Sequence, residues 1–172
     1  LGTVNLNADD PIFEVSAFIV GIEGEGFAGD EATGIGYDWE FPSGGGSQYF
    51  YDVDDLPVEF EKTMETPLGA VSYGHAKCEG EVTDTSVQIF GLSTAGVGIA
   101  DDGDPSQFVR AYSQVHGEFH LSIPEGATLD FELCAVTEGQ TAMTQMYIRK
   151  LVNGNFQTVF EHVLFSNTDV DC

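Results

Sequence analysis

Positive charge is what this chain has least of. Five Lys and Arg stand against 29 Asp and Glu in 172 residues, a formal net charge of -24. A protein that neutralises phosphates needs clustered cations. Lys62, Lys77, Arg110, Arg149 and Lys150 are too few and too dispersed for that, so nucleic acid and anionic membrane surfaces are not expected partners. Long apolar runs are missing too. Pieces such as Ala17 to Val20 fall far short of the roughly 18–20 residues that cross a bilayer as a helix, and no membrane insertion is expected.

Catalytic signatures are equally scarce. The sequence contains no Gly-x-Ser-x-Gly elbow, no phosphate-cradling glycine loop followed by Lys, and no His-Glu-x-x-His. Gly34-Ile35-Gly36 leads into a strand pattern rather than a helix, the wrong setting for a dinucleotide. Asp38 and Glu40 share one strand face as a glycosidase pair would. Among 29 carboxylates such a pair carries little information. The expectation is a protein that is not an enzyme, with a small secreted hydrolase as a distant alternative.

Three cysteines, Cys78, Cys134 and Cys172, allow at most one intramolecular disulfide. With no Cys-x-x-Cys, neither redox catalysis nor a zinc ribbon is expected. The spare thiol, Cys172 above all, could join a neighbouring subunit. There is no Asn-x-Ser/Thr sequon. The opening Leu1-Gly2-Thr3 carries no initiator Met, basic region or apolar signal region, which reads as a trimmed product compatible with secretion. An acidic excess of this size suits either a saline milieu that screens self-repulsion or acidic loops that bind cations outside the cell. Both point to an extracellular or cell-surface location.

What the sequence has in abundance is alternation with period two. Ile35, Tyr37, Trp39 and Phe41 alternate with Asp38 and Glu40, and Gln48 to Val53 follows a Pro-Ser-Gly-Gly-Gly-Ser turn as an expected hairpin partner. Val115, Phe119, Leu121 and Ile123 alternate with His116, Glu118 and His120. Leu129 to Ala135 continues the rhythm, and Met143–Val152 and Thr158–Phe165 flank an Asn153-Gly154-Asn155 hairpin turn. Ile12 to Ile22 and Thr85 to Leu92 also read as strands, Gly24 to Gly36 and Ala95 to Ser106 as loops, and Val58 to Met64 as the one short helix candidate. The expected fold is all-β: an antiparallel two-sheet β-sandwich, jelly-roll-like, of roughly 8–10 strands. It would span residues 11–172 as a single domain behind an N-terminal arm of residues 1–10.

Four groups of residues are candidate sites. The first is the acidic runs Asp101-Asp102-Gly103-Asp104 and Asp52-Val53-Asp54-Asp55, whose Asp101, Asp102, Asp104, Asp52, Asp54 and Asp55 could supply several of the oxygens that calcium requires, although neither fits an EF-hand. The second is His116, Glu118 and His120 on one strand face. The two histidines lie about 13 Å apart by strand rise, so a metal there would need His75 or His162 from another strand. The third is an aromatic row of Tyr37, Trp39 and Phe41 with Tyr49 and Tyr51 opposite, a sugar-stacking platform if exposed and simple core if buried. The fourth is the arm, whose Thr3, Val4 and Leu6 alternate as a donor strand able to complete a neighbour's sheet edge or its own.

Residues 108–165, about a third of the chain, run through Gly-Glu-Phe-His-Leu-Ser-Ile and Pro-Glu-Gly-Ala-Thr-Leu-Asp-Phe-Glu-Leu to Asn-Gly-Asn. This order resembles the β-sandwich segment of secreted bacterial surface proteins of the PEP-CTERM-sorted kind, which are associated with extracellular matrix. The resemblance implies a secreted β-sandwich and no particular site residues. Together these features predict a non-enzymatic extracellular structural subunit that self-assembles into a filament, pilus-like fibre or matrix, with copies of itself as partners and calcium as the one cofactor to consider. The alternative is a carbohydrate-binding β-sandwich module with polysaccharide as its partner.

Overall fold

A computed structural model describes residues 14–83, 86–99, 107–123, 135–139, 142–166 and 168–170. Every regular element in these residues is a β-strand except one short 3-10 turn, and every strand pairing is antiparallel. The described residues hold eleven strands, slightly more than the alternation suggested: β1 (Glu14–Asp30), β2 (Ile35–Phe41), β3 (Gln48–Phe50), β4 (Val58–Glu65), β5 (Val71–Val82), β6 (Val87–Gly98), β7 (Gln107–Ser122), β8 (Ala135–Thr137), β9 (Met143–Val152), β10 (Asn155–Phe165) and β11 (Thr168–Val170). They fall into two compact units, one holding β1–β7 and the other β8–β11.

In the β1–β7 unit the first sheet is organised on β1. One edge of β1 pairs with β7 along nearly its whole length, and the other pairs with β2 at Gly24–Asp30 and with β3 at Val20–Ile22. β2 and β3 are therefore two pieces of one interrupted strand, and residues 42–47 are an excursion from it. The hairpin expected across Pro42 to Ser47 does not form, because Gln48 and Tyr49 find their partners on β1. The second sheet has the order β4-β5-β6.

Beyond the bulge between Val15 and Ala17, even-numbered residues of β1 point inward and odd-numbered ones outward. Phe18, Val20 and Ile22 are buried and join Trp39 of β2 to Val58, Phe60, Ala76 and Cys78 of the second sheet in one hydrophobic cluster. The unit is thus a two-sheet sandwich with its core between the sheets. Trp39 fills the middle of it. A Cβ added at Gly26 on β1 would lie 2.0 Å from Trp39 Nε1, and one at Gly74 on β5 would lie 2.2 Å from its ring. The indole occupies the space that two glycines vacate. Its N–H donates to Ser72 Oγ at 2.9 Å, and Ser72 in turn donates to the backbone oxygen of Arg110 at 2.6 Å. These bonds cross from sheet to sheet and leave the indole N–H and the Ser72 hydroxyl partnered.

Three expectations are corrected by the same physics. The stretch from Gly24 to Gly36 is mostly strand, with a turn only at Glu31–Gly34. There Asp30 accepts from the Ala32 N–H at 2.8 Å, and Gly34 takes φ +67°. Its glycines mark close approach of aromatic rings rather than a loop. Val58 to Met64 is a strand, not a helix: Val58 and Phe60 are buried while Glu59 and Glu61 are exposed, which is a period of two. The expected loop from Ala95 is likewise strand as far as Gly98.

The β8–β11 unit contains the hairpin β9–β10 and the short pair β8–β11. Asn153 at φ 51° and Gly154 at φ 78° close the hairpin, the positive-φ pair that an Asn-Gly turn provides.

Candidate functional surfaces

Two surfaces stand out, one on each unit. The first is the outward face of the β1 sheet. Following the register, Glu23 and Glu25 of β1 lie beside Gln114 and Tyr112 of β7, and Glu25 lies beside Glu40 of β2. Glu23 sits where the edge strand is broken, between the residues that pair with Phe41 and with Gln48. The break opens a cleft of about 320 Å³ lined by Glu23, Glu25, Phe41, Gly45, Gly46 and Tyr112.

Each part of this cleft has a local cause. Gly44, Gly45 and Gly46 all have positive φ, which only glycine adopts in succession without strain, and this lets bare backbone form one wall. The loop is tied down by the Gly44 N–H donating to Glu40 Oε2 at 3.1 Å and by Ser47 Oγ donating to Glu23 Oε2 at 2.5 Å. Tyr112 donates its hydroxyl to Glu23 Oε1 at 3.1 Å and also contacts Gln114. Burial, then the hydrogen bond to Glu23, then the charges of Glu23 and Glu25 push the Tyr112 phenol up to about 12. It stays a neutral donor at any physiological pH. Phe41 stacks on Phe60 with ring centroids 4.5 Å apart, so the apolar wall is anchored in the core. Sequence reading passed over Glu23, Glu25 and Tyr112. Their signal was the alternation of Glu with Gly in Gly21 to Gly26, which places carboxylates on one face, but the pairing that brings Tyr112 beside them is long-range.

The second surface is one face of the β9–β10 hairpin. Met143, Gln145, Tyr147, Arg149 and Leu151 share it with Phe165, Val163, Glu161, Thr158 and Phe156, their respective register partners. Met143, Tyr147, Leu151, Phe156 and Phe165 are between 45% and 65% exposed. The middle of the face is polar. Arg149 lies over the Tyr147 ring at 5.1 Å, and Gln145 donates to Glu161 at 3.3 Å.

The residues singled out by sequence are placed as follows. Trp39 is 4% exposed, so it belongs to the core, whereas Tyr37, Tyr49 and Tyr51 are exposed. Tyr49 lies opposite Gly21 on the outward face while Trp39 lies opposite inward-facing Gly26, so the four rings do not form a single platform. Asp52 caps the 3-10 turn Val53–Asp55 by accepting from the Asp54 N–H at 3.1 Å, and Asp54 and Asp55 are exposed on it. Among the described residues no group of three His, Cys, Asp or Glu is arranged to hold a metal. His120 pairs with Glu118 at 2.8 Å on the outward face of β7, with His116 at 4.0 Å on the other side of Glu118. His75, proposed as an additional ligand, pairs with Glu59 at 2.8 Å. Cys78 is fully buried with a free thiol, so it is not half of a disulfide, and burial followed by the charge of Glu79 pushes it up to about 11. Asp101, Asp102, Asp104, Thr3, Val4, Leu6, Cys134 and Cys172 lie outside the described residues.

No protein-family model, no curated protein and no solved structure matches this chain.

Proposed function

We propose that the protein is a non-enzymatic extracellular structural subunit that associates with copies of itself through the β9–β10 face. The apolar rows of that face carry the reading. An exposed apolar face of this kind is uncommon on a soluble protein that works alone.

The pattern favours a second copy as occupant. From either end of the hairpin the face runs from an apolar pair (Met143 and Phe165, or Leu151 and Phe156) to a polar centre. A two-fold interface needs such a surface, since each patch must complement itself. Charge supports it as well. Residues 131–172 hold 5 acidic and 2 basic residues, while residues 4–130 hold 24 and 3. Two sandwich units repel one another; two hairpin faces, each with one Arg and one Glu, do not. Growth beyond a dimer needs a second contact, and the donor-strand arm of residues 1–10 supplies it in this reading. The resemblance of residues 108–165 to secreted matrix-associated proteins supports the extracellular setting, and calcium at the acidic loops would strengthen the assembly.

Light scattering and negative-stain microscopy of the full chain, with and without millimolar calcium, test this. The expected result is a dimer or larger assembly, reduced to monomer-width strands or monomers by Leu151→Glu with Phe156→Glu, and arrested at dimers by deletion of residues 1–10. A monomer of 18.5 kDa at every concentration and salt level would overturn it.

A further inference from the structure

The cleft at the break between β2 and β3 belongs to the β1–β7 unit and shares no residue with the hairpin face on which the proposed association rests. We infer that it is a binding site for a neutral glycan. Three features converge on that ligand. The cleft is concave, and at about 320 Å³ it lies at the small end of the roughly 300–1,000 Å³ typical of small-molecule sites. Its walls combine an aromatic ring, that of Tyr112, with two carboxylates, those of Glu23 and Glu25. Pyranose rings present C–H faces that pack on aromatic rings and hydroxyls that donate to carboxylates.

The groups are also held in place before any ligand arrives. Glu23 accepts from Ser47 on one oxygen and from Tyr112 on the other, which fixes its plane. A carboxylate oxygen has two lone pairs, so each retains capacity for a sugar hydroxyl. Tyr112 cannot rotate away without breaking its bond to Glu23. The glycine wall adds backbone at close range without side chains in the way, since a Cβ at Gly44, Gly45 or Gly46 would meet nothing within 4 Å.

Electrostatics restrict the class. Among the residues lining the cleft Glu23 and Glu25 are charged and none is basic. Uronate or sulfated sugars would meet two carboxylates at short range in a unit that is strongly acidic, and like charges brought that close are repelled. Hydroxyl donors without a negative charge are what the site accepts.

The test is an amide chemical-shift titration of the full chain with xylotetraose, cellotetraose and mannotetraose, and with an oligogalacturonate of matched length. At millimolar sugar, at least one neutral oligosaccharide should give saturable shifts centred on Glu25, Gly45, Gly46 and Tyr112. The oligogalacturonate should give none. Tyr112→Ala should weaken binding about tenfold or more, and Tyr112→Phe, which keeps the ring but loses the hydroxyl bond that holds it against Glu23, should weaken it by a smaller factor. Because Tyr112 is partly exposed and outside the core cluster, the spectrum of each variant shows directly that the fold is kept. No neutral oligosaccharide shifting these amides, equal binding by the oligogalacturonate, or unchanged binding by Tyr112→Ala would each overturn the proposal. The Leu151→Glu, Phe156→Glu variant, which disrupts only the hairpin face, should bind sugar as the parent does. Failure of association and failure of sugar binding are thereby read separately.

Discussion

The β1–β7 unit hides its apolar faces between two sheets, around an indole wedged against two glycines and bonded through Ser72 to the opposite strand. The β8–β11 unit buries only Ala135, Thr137 and Leu164 among its described residues and leaves six large apolar side chains of its hairpin exposed. Charge runs the opposite way, with nearly all of the excess on residues 4–130. A unit that buries its core can afford a repulsive surface, which keeps it apart from its neighbours. A unit with an apolar face and little charge lacks that repulsion, and on this the proposed association rests.

The sharpest way to break this contrast is to remove the side chain at the centre of the sandwich. Trp39→Ala should cost about 3–5 kcal/mol, the range for deleting a buried aromatic, while Leu151→Ala, exposed in the single chain, should cost well under about 1 kcal/mol when the protein is diluted to monomer. Urea unfolding followed by circular dichroism measures both, since Trp39 is the chain's only tryptophan and its loss removes the fluorescence probe. Comparable costs at the two positions in the monomer would mean that the hairpin face is buried within the chain itself, whereas a cost at Leu151 that grows with protein concentration is what association through that face predicts.

Salt probes the same contrast through charge. Raising ionic strength from about 0.1 to 1 M shortens the screening length from about 10 to 3 Å. The self-repulsion of residues 4–130 should then relax and stabilise the sandwich by on the order of 1 kcal/mol, which a chain of this size shows as about 2–4 °C in Tm. Scanning calorimetry in sodium chloride reads it. Hydrophobic association through the hairpin should survive the same salt, whereas an association driven by Arg149 and Lys150 meeting acidic surfaces would weaken.

How much of this was legible beforehand follows from the range of the interactions involved. The alternation of β7, the β9 and β10 strands and their Asn153-Gly154 turn are local patterns, and they read correctly. β1 read as too short because Gly24, Gly26 and Gly29 look like turn residues until Trp39, Phe60 and Phe27 are seen filling the space above them. β4 read as a helix because Glu59, Glu61 and Lys62 suit one, although Val58 and Phe60 carried the strand period. The cleft was not legible at all. It exists because Phe41 and Gln48 both choose β1 as partner, and which strand pairs with which is a non-local matter that no window of sequence contains.

A smaller effect is expected at the hairpin turn. Gly154 has φ 78°, where an alanine is strained, so Gly154→Ala should cost about 1 kcal/mol. Hydrogen exchange should place the loss in β9 and β10 and leave β1–β7 protection unchanged. Spread of the effect into β1–β7 would show that the two units unfold as one.

The least perturbing test concerns a single proton. Tyr112 holds its phenol proton to about 12, against an ordinary value of 10, because burial and then the Glu23 hydrogen bond and the nearby carboxylate charges all disfavour the phenolate. The unfolded chain loses that proton near 10. The stability contributed by protonated Tyr112 is therefore complete below pH 10 and is lost as pH rises from there through 12. Phenolate absorbance of the parent minus that of Tyr112→Phe isolates this one group, and the difference should titrate near 12. Glu23→Gln should bring it back toward 10 by removing a carboxylate acceptor and a negative charge, though burial, the largest cause, would keep it somewhat raised. A difference titration near 10 in the parent would mean that Tyr112 does not rest on Glu23 in solution, and the cleft would then lose the ordering that makes it a site.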